Sequence, residues 1–387
     1  MKKLVSALLI GSMLLIPAQT YAADEKVITT LSFDKIEEEI LARNPVVIAN
    51  NDQVSDGWSD LSDGTKKLKD LRDKLKAAQK LIIDQYFPGQ TVEAVMLLVP
   101  PTLVSKPEDS NTNDQELLKY MNRILVANYE TQIQSIQQQI DGLEDKQDDL
   151  WKSILQKDAG NYQLVWGTEQ LFITYNGLSR QQADLVSNIS LLDKQVKVAN
   201  LQKELGFATG VDVKGSELKL KELNQTNQNL TKQREYLKQQ INLMLGQDVT
   251  TGLMIEATPK PDYHAVNTMD YEEELDDALD RSFNVRLQDK DLKHDDEERK
   301  FIVAFKQAFD GVKEKKDSLS IETDKLQVEK EKLDHLKLKY DLGMVSKLEY
   351  DAGIAAYQAQ ENKVKGMDEE LFKAYRKYQW MKKGLTL

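Results

Sequence analysis

The sequence predicts a mainly α-helical, elongated protein built from long antiparallel helix hairpins of coiled-coil type, arranged in two tandem repeats. Three observations predict it. After Pro45 the prolines fall only at 88, 100, 101 and 107 and then at 259 and 261, so 108–258 and 262–387 are free of the residue that breaks helix interiors. Apolar residues recur at alternating three- and four-residue spacings, as in Ile133, Ile136, Ile140, Leu143, Leu150 and Ile154, with Gln147 in the one gap. Such a seam needs a partner helix, because one helix alone cannot bury it. Finally, 7% of residues are aromatic, 30% are charged and the mean hydropathy is −0.54. That is a thin supply for a thick core and suits helices sharing narrow seams.

The elements follow in order. Lys2 and Lys3, the apolar run Leu4–Ile16, and small residues at Thr20 and Ala22 read as a signal peptide over 1–22, cleaved after Ala22. The apolar run is too short to span a bilayer, and the absence of cysteine excludes lipid attachment at the cleavage site. Leu31–Asn50 reads as a short amphipathic helix through Leu31, Ile36, Ile40 and Leu41, broken or kinked at Asn44-Pro45. Residues 54–86 read as a second helix through Leu61, Leu68, Leu71 and Leu75. Residues 87–115 are an irregular, proline-containing insertion, in which Thr91–Val99 reads either as a short strand or as an apolar helical turn. The run Val95–Val104 is apolar, but Pro100-Pro101 rules out a spanning helix there.

Helix is expected from about Gln115, then over 165–204 through Leu171, Leu178, Leu185, Leu192 and Val196. After the break at Leu205–Gly210 a return helix runs to Leu245 and ends at Gly246. A linker over 259–269 leads to a short helix face of Leu275, Leu279, Phe283 and Val285. A long helix is expected over about 285–341, a break at Leu342-Gly343, and a last helix over about Leu348–Lys383.

These blocks repeat. Leu205-Gly206 followed by Val211-Asp212-Val213 matches Leu342-Gly343 followed by Leu348-Glu349-Tyr350 at one constant offset. In each, an acid opens the return helix, where it suits the macrodipole, and a glycine, Gly246 or Gly384, closes it. Upstream, Arg43-Asn44 resembles Ser282-Phe283-Asn284. The division is therefore 23–258 for the first repeat and 270–387 for the second.

On these two turns, their return helices and Trp166–Gly206, the chain resembles the TolC-like outer-membrane efflux protein family from about Leu31 to Leu385. The resemblance implies a homotrimer, with helical hairpins forming a twelve-helix tunnel and strands forming a shared outer-membrane barrel. It also implies hairpin turns that face a periplasmic adaptor and acids that line a constriction near the second turn. Carried over, the docking residues are Leu205, Gly206, Val211, Asp212, Leu342, Gly343 and Leu348, and the entrance acids are Glu349 and Asp351. The family's second acid would fall at Ala352, one position from Asp351. The barrel is where the chain departs. Phe301–Ser320 reads as uninterrupted helix, and Thr91–Val104 is the one strand candidate of the first repeat. Since an open sheet edge cannot sit in lipid, the expectation is a helical relative whose barrel strands are reduced or absent.

Composition removes other functions. Without cysteine there is no disulfide, zinc–thiolate site, Fe–S cluster or cysteine nucleophile. A net charge of −12 without a basic block argues against nucleic acid. His264, His294 and His335 stand far apart with no metal-ligand spacing, and His294–Glu298 reads as a solvated helix face. Gly206–Gly210 lacks the lysine of a phosphate loop, and no nucleophile-elbow pattern occurs. Trp151, Trp166, Tyr175 and Trp380 read as packing residues.

The expectation is a non-enzymatic component of an efflux or export system, without cofactor or metal. It would assemble into, or dock onto, a conduit with a periplasmic-type adaptor and a separate inner-membrane pump. The protein is expected in the cell envelope, in the outer membrane only if a barrel forms, and as a trimer if it is a conduit. The alternative is a coiled-coil scaffold of the envelope without conduit activity. A membrane-fusion-type adaptor ranks last, because no strand-rich region flanks the hairpins.

Overall fold

A computed structural model describes residues 27–97, 114–207, 209–288 and 295–387, apart from the side chains of 53–56, 114–117, 212 and 295. The signal peptide, residues 98–113 of the insertion, and His294 lie outside the described residues. The chain is mainly helical, with long helices.

Strand β1 (Thr30–Leu31) pairs in parallel with β2 (Met254–Ile255), the one sheet among the described residues. Leu31, expected on a helix face, is thus in a strand. A 3-10 turn at Phe33–Lys35 precedes helix α1 (Ile36–Arg43). The expected break at Asn44-Pro45 is a helix start: Asn44 Oδ1 accepts from the N–H groups of Val46 and Val47 at 3.0 and 3.4 Å. Pro45 opens α2 (Pro45–Tyr86), a position where its fixed φ fits and its missing N–H costs nothing. The second helix therefore begins nine residues before 54.

After α3 (Val92–Met96), a helical turn in the described part of the Thr91–Val99 stretch, comes α4 (Asp114–Glu204). It is one unbroken helix of 91 residues, where the sequence suggested two stretches. At roughly 1.5 Å per residue it is about 140 Å long. Then follow α5 (Gly210–Met244), α6 (Tyr263–Asn267) inside the expected linker, α7 (Tyr271–Arg281), α8 (Phe283–Arg286), α9 (Asp295–Asp341) and α10 (Lys347–Lys382). The long helix expected from 285 is interrupted: α8 is a single turn, residues 287 and 288 are not helical, and α9 is described from Asp295. Phe301–Ser320 is continuous helix within α9.

Two halves of α4 have different partners. Its first half pairs antiparallel with α2 in a two-helix arm, through Asn50–Asn161 at 2.9 Å, Arg72–Gln137 at 2.9 Å and Gln79–Glu130 at 3.0 Å. Ile133, Ile136 and Ile140 are buried along this arm, as their spacing predicts. A small cluster of Ile83, Phe87, Val95 and Val126 closes its far end.

The second half of α4 packs on α5 on one side and on α10 on the other, and α10 packs on α9. The order across this row is α5, α4, α10, α9. Polar contacts stitch each seam. Arg234 donates to Gln182 at 2.6 Å and to Tyr175 at 2.9 Å between α5 and α4. Lys194 meets Asp351 at 2.8 Å between α4 and α10. Gln360 donates to the Glu322 carboxylate at 2.8 Å between α10 and α9.

Glu322 also meets Lys325 at 2.8 Å and Lys363 at 3.1 Å. Lys325 first, then Gln360 and Lys363, hold its carboxyl down at about 2, from an ordinary value of 4.5. An acid depressed on folding stabilises the fold above its unfolded value, and that stability is lost as pH falls through the folded value. Glu322→Gln is therefore expected to be less stable than the parent at neutral pH. The gap should close between pH 4.5 and about 2, as read by urea midpoints of both chains. A gap independent of pH would show that the charge of Glu322 is immaterial.

The core lies where arm and row meet. Leu31, Phe33, Ile36, Ile40, Val165, Phe172, Ile241 and Trp380 form one cluster. Phe301, Phe305, Phe309, Leu371 and Tyr378 form the other. Phe33 sits edge-on to Phe372 at 4.7 Å, and Phe305 stacks on Tyr378 at 4.9 Å. Trp380 and Trp166 pack here as the sequence suggests, whereas Trp151 is exposed, with Arg286 5.9 Å from its ring.

Candidate functional site

The end of the row away from the core is made by two turns, α4 to α5 and α9 to α10. Both follow the same backbone rule. Phe207 N–H donates to Gln202 C=O at 2.7 Å and Gly206 N–H to Lys203 C=O at 3.0 Å. Met344 N–H donates to Lys339 C=O at 2.8 Å and Gly343 N–H to Tyr340 C=O at 2.9 Å. This Schellman pattern needs a left-handed residue, and Gly206 and Gly343 supply it at φ +79° and +71°. Space around both glycines is open, so backbone conformation alone asks for glycine here.

The turns share one end because Lys194, near the end of α4, reaches Asp351, near the start of α10. Their apolar side chains face solvent. Phe207 is 82% exposed and Val211 81%, and Leu205, Leu342 and Met344 are exposed too. Five large apolar groups at one tip make this end a candidate contact surface.

Of the predicted docking residues, Leu205, Gly206, Val211, Leu342 and Gly343 lie at this tip. Leu348 is half-buried at the start of α10. Asp212 is on the first turn of α5, its side chain outside the described residues. Phe207 and Met344 were not singled out from the sequence, although each directly follows its turn glycine.

The two acids have local partners. Glu349 closes a capping box on α10: its carboxylate accepts from Ser346 N–H at 2.8 Å and from the Ser346 hydroxyl at 2.9 Å. Those bonds hold its carboxyl below the usual range. The pattern Ser346-x-x-Glu349 was the signal for this cap. Asp351 lies between Lys194 at 2.8 Å and Lys347 at 2.9 Å, which lower its carboxyl in that order. Lys347 in turn lies over the stacked rings of Tyr340 and Tyr350, 5.4 and 5.0 Å from their centroids. Neither acid stands as a bare negative charge.

A second polar cluster sits in the core and was invisible in the sequence. Glu169, 1% exposed, takes a forked bond from Arg376 at 2.6 and 3.1 Å and a bond from Trp380 Nε1 at 2.7 Å. Arg376 also approaches Glu37 at 3.6 Å, and Glu37 binds Lys383 at 2.7 Å. Burial pushes the Glu169 carboxyl up against the pull of Arg376 and Trp380. Glu169 and Trp380 are closed to solvent, Arg376 is partly buried, and Glu37 and Lys383 are partly exposed; the cluster ties α1, α4 and α10 together, so it reads as structural.

Among the described residues no group of three or more acids or histidines is placed to hold a metal, and no helix is long and apolar enough to cross a membrane. The two best-formed hollows are open, about 410 Å³ beside Leu97 and about 340 Å³ beside Tyr263.

No protein-family model matches the chain, and no curated protein sequence matches it.

Proposed function

We propose that the protein is a non-enzymatic, TolC-like wall element of an envelope export conduit. In this reading each copy contributes two tandem helix hairpins to a ring and presents their turns to an adaptor. A separate pump supplies energy, and a helical arm stands where the family places barrel strands.

One observation carries the reading: the edges of the row bear matching apolar stripes. On α5, Val211, Leu218, Tyr236 and Leu243 are exposed, and seven- and eighteen-residue spacings put them on one face. On α9, Val303, Ile321 and Val328 are exposed on one face by the same spacings. The α5 and α9 edges form no packed interface with each other within a chain. Followed across the row through Phe305–Tyr378, Trp380–Glu169 and Tyr175–Arg234, Val303 comes opposite Gln240, within one turn of Leu243. A neighbour placed by rotation about an axis along the helices sets the α5 stripe against the α9 stripe, a head-to-tail contact that closes into a ring.

Two further features support tandem repetition. α5 and α10 each end in a glycine turned back on the carbonyl of an arginine that closes a short helix, Gly246 on Arg43 and Gly384 on Arg281. The two exposed turns also share one backbone pattern.

The chain has no cysteine, so introduced cysteines report without background. Leu243→Cys combined with Val303→Cys is expected to give disulfide-linked oligomers on oxidation, because only neighbouring copies bring the two edges within about 7 Å between Cα atoms. Unlinked monomer at concentrations well above those of the assembly would remove the ring and favour the envelope scaffold. With the ring in place, Phe207→Glu with Met344→Glu is expected to abolish adaptor capture while leaving the cross-link intact. Capture that survives would remove the docking role.

A further inference from the structure

The four-helix row has two faces, and they differ in charge. Short elements cover one of them. Asn176 on α4 donates to Glu256 C=O beside β2 at 2.9 Å, Tyr378 on α10 donates to Glu274 on α7 at 2.5 Å, and Tyr263 on α6 donates to Asp368 on α10. Phe172 on α4 lies on this covered face, edge-on to Phe33. Half a turn round α4 from Phe172, an exposed residue recurs every seven positions: Thr174, Gln181, Asn188, Gln195 and Gln202. None of them is charged.

On α10 and α9 the same uncovered face is basic. Opposite Asp368, α10 carries Lys363, Lys373 and Lys377 with Glu370. Opposite Thr323, which lines the hollow beside Tyr263, α9 carries Lys325, Lys332 and Lys339 with Glu329, and Glu322 stands at the seam. Glu322 already meets Lys325 and Lys363, and Glu329 meets Lys332 at 2.6 Å. Six lysines thus stand with three acids, on a chain whose net charge is −12. The covered face of these two helices shows no such excess, since Asp324, Asp334 and Asp368 offset Lys316, Lys330 and Lys365. At the turns, Asp351 lies between Lys194 and Lys347, so it adds no net negative charge.

We infer that the conduit favours anionic cargo, which the lysines of α9 and α10 attract while the amides of α4 bind it through neutral hydrogen bonds alone. The inference rests on the ring reading and names its substrate class. In a closed ring the covered face must lie outside, because α1, α6 and α7 need room that a narrow lumen lacks. Ala352, Ala356 and Ala359 are exposed on the uncovered face, and such small side chains let the wall curve toward it. The lysine surplus of every copy then lines one enclosed space, where a single sign of charge raises the local concentration of counter-ions.

The test uses single cysteines in a chain that has none. Gln181→Cys reports the uncovered face and Ala183→Cys the covered one, both at exposed positions. Arg180, next to Gln181, packs on Gly366, which sets the reporter level with the stretch between Lys363 and Lys373. Each variant is reacted, as assembled protein, with the anionic sulfonatoethyl and the cationic trimethylammonioethyl methanethiosulfonate. At low salt the anionic-to-cationic rate ratio is expected to be about fivefold higher at Gln181→Cys than at Ala183→Cys, and to shrink at high salt. Adding Lys373→Gln with Lys377→Gln is expected to lower the ratio at Gln181→Cys by about threefold, with helix content by circular dichroism unchanged. Should that pair lose helix, Lys377→Gln alone reads the same direction with less perturbation. Lys316→Gln with Lys330→Gln, on the covered face, is expected to leave the ratio unchanged. Equal ratios at the two reporters, a faster cationic reagent at Gln181→Cys, or a ratio indifferent to Lys373 and Lys377 overturns the anion assignment while the Leu243→Cys and Val303→Cys cross-link stands. Loss of that cross-link instead overturns the ring, and the lumen with it.

Discussion

Gly384→Ala is expected to destabilise the protein by about 3 kcal/mol, read as a lowered urea midpoint with unchanged slope. Gly384 ends α10 at φ +103°, and its Schellman bonds join Leu385 N–H to Trp380 C=O and Gly384 N–H to Met381 C=O. A Cβ added there would lie 2.1 Å from the carbonyl oxygen of Arg281. The obstacle is backbone, so no rotamer relieves it. The same carbonyl belongs to the end of α7, and Phe283 N–H donates to Gly384 C=O at 3.0 Å, so moving one disturbs the other. Gly343→Ala is the contrast. Its φ is +71° but its surroundings are open, which leaves only the left-handed cost of about 1 kcal/mol. Equal effects at the two positions would show that the close approach to Arg281 carries no weight.

Glu169→Ala is expected to cost about 3 kcal/mol. It removes the acceptor of the forked Arg376 bond and of Trp380 Nε1, and it leaves a partly buried guanidinium and a buried indole N–H without their main partner. The cost falls at the low end for a buried pair because Arg376 keeps Gln379 at 3.0 Å and Glu37 at 3.6 Å. The signature is asymmetry. Glu169→Leu with Arg376→Met replaces the pair by apolar groups of similar size and is expected to regain most of the loss, since no charge then lies unpaired. A double-mutant cycle in urea checks this. Additive losses would mean that the pair is not coupled.

Much of the architecture was legible because it is written locally. Gly206, Gly246, Gly343 and Gly384 end their helices as the sequence suggests, and all four are left-handed. The proline-free stretches became the longest helices. Asn44-Pro45 was harder, since proline after asparagine reads equally as a break and as a start. Only the two N–H groups on Asn44 Oδ1 decide it. The helix α4 also runs unbroken through Gly160 and Gly167, although the space beside both glycines is open.

The site was legible in its turns and not in its charges. Glu349 was visible as an acid at a helix start; its Ser346 cap was missed, although Ser346 stands three residues before it. Asp351 showed one partner in sequence, Lys347 four residues before, and hid the other, because Lys194 is 157 residues away. Glu169 stands in an apolar stretch with nothing nearby to explain it, and its partner Arg376 is 207 residues on. Pairings of that separation follow from how helices pack, which no local pattern encodes.

The single helix α4 has a mechanical consequence. It belongs to the arm over its first half and to the row over its second, and it holds no proline at which to bend. The helix runs unbroken through its glycines as well, so a displacement at one end of α4 is carried along it toward the other. The Arg376–Glu169 clamp sits near the fulcrum, where leverage on it is greatest. A push on the arm tip therefore arrives at Leu205 and Phe207 as a displacement of the first turn. The second turn, carried on α9 and α10, moves only as far as the Lys194–Asp351 link drags it. The arm and the first turn are thus coupled through one continuous helix.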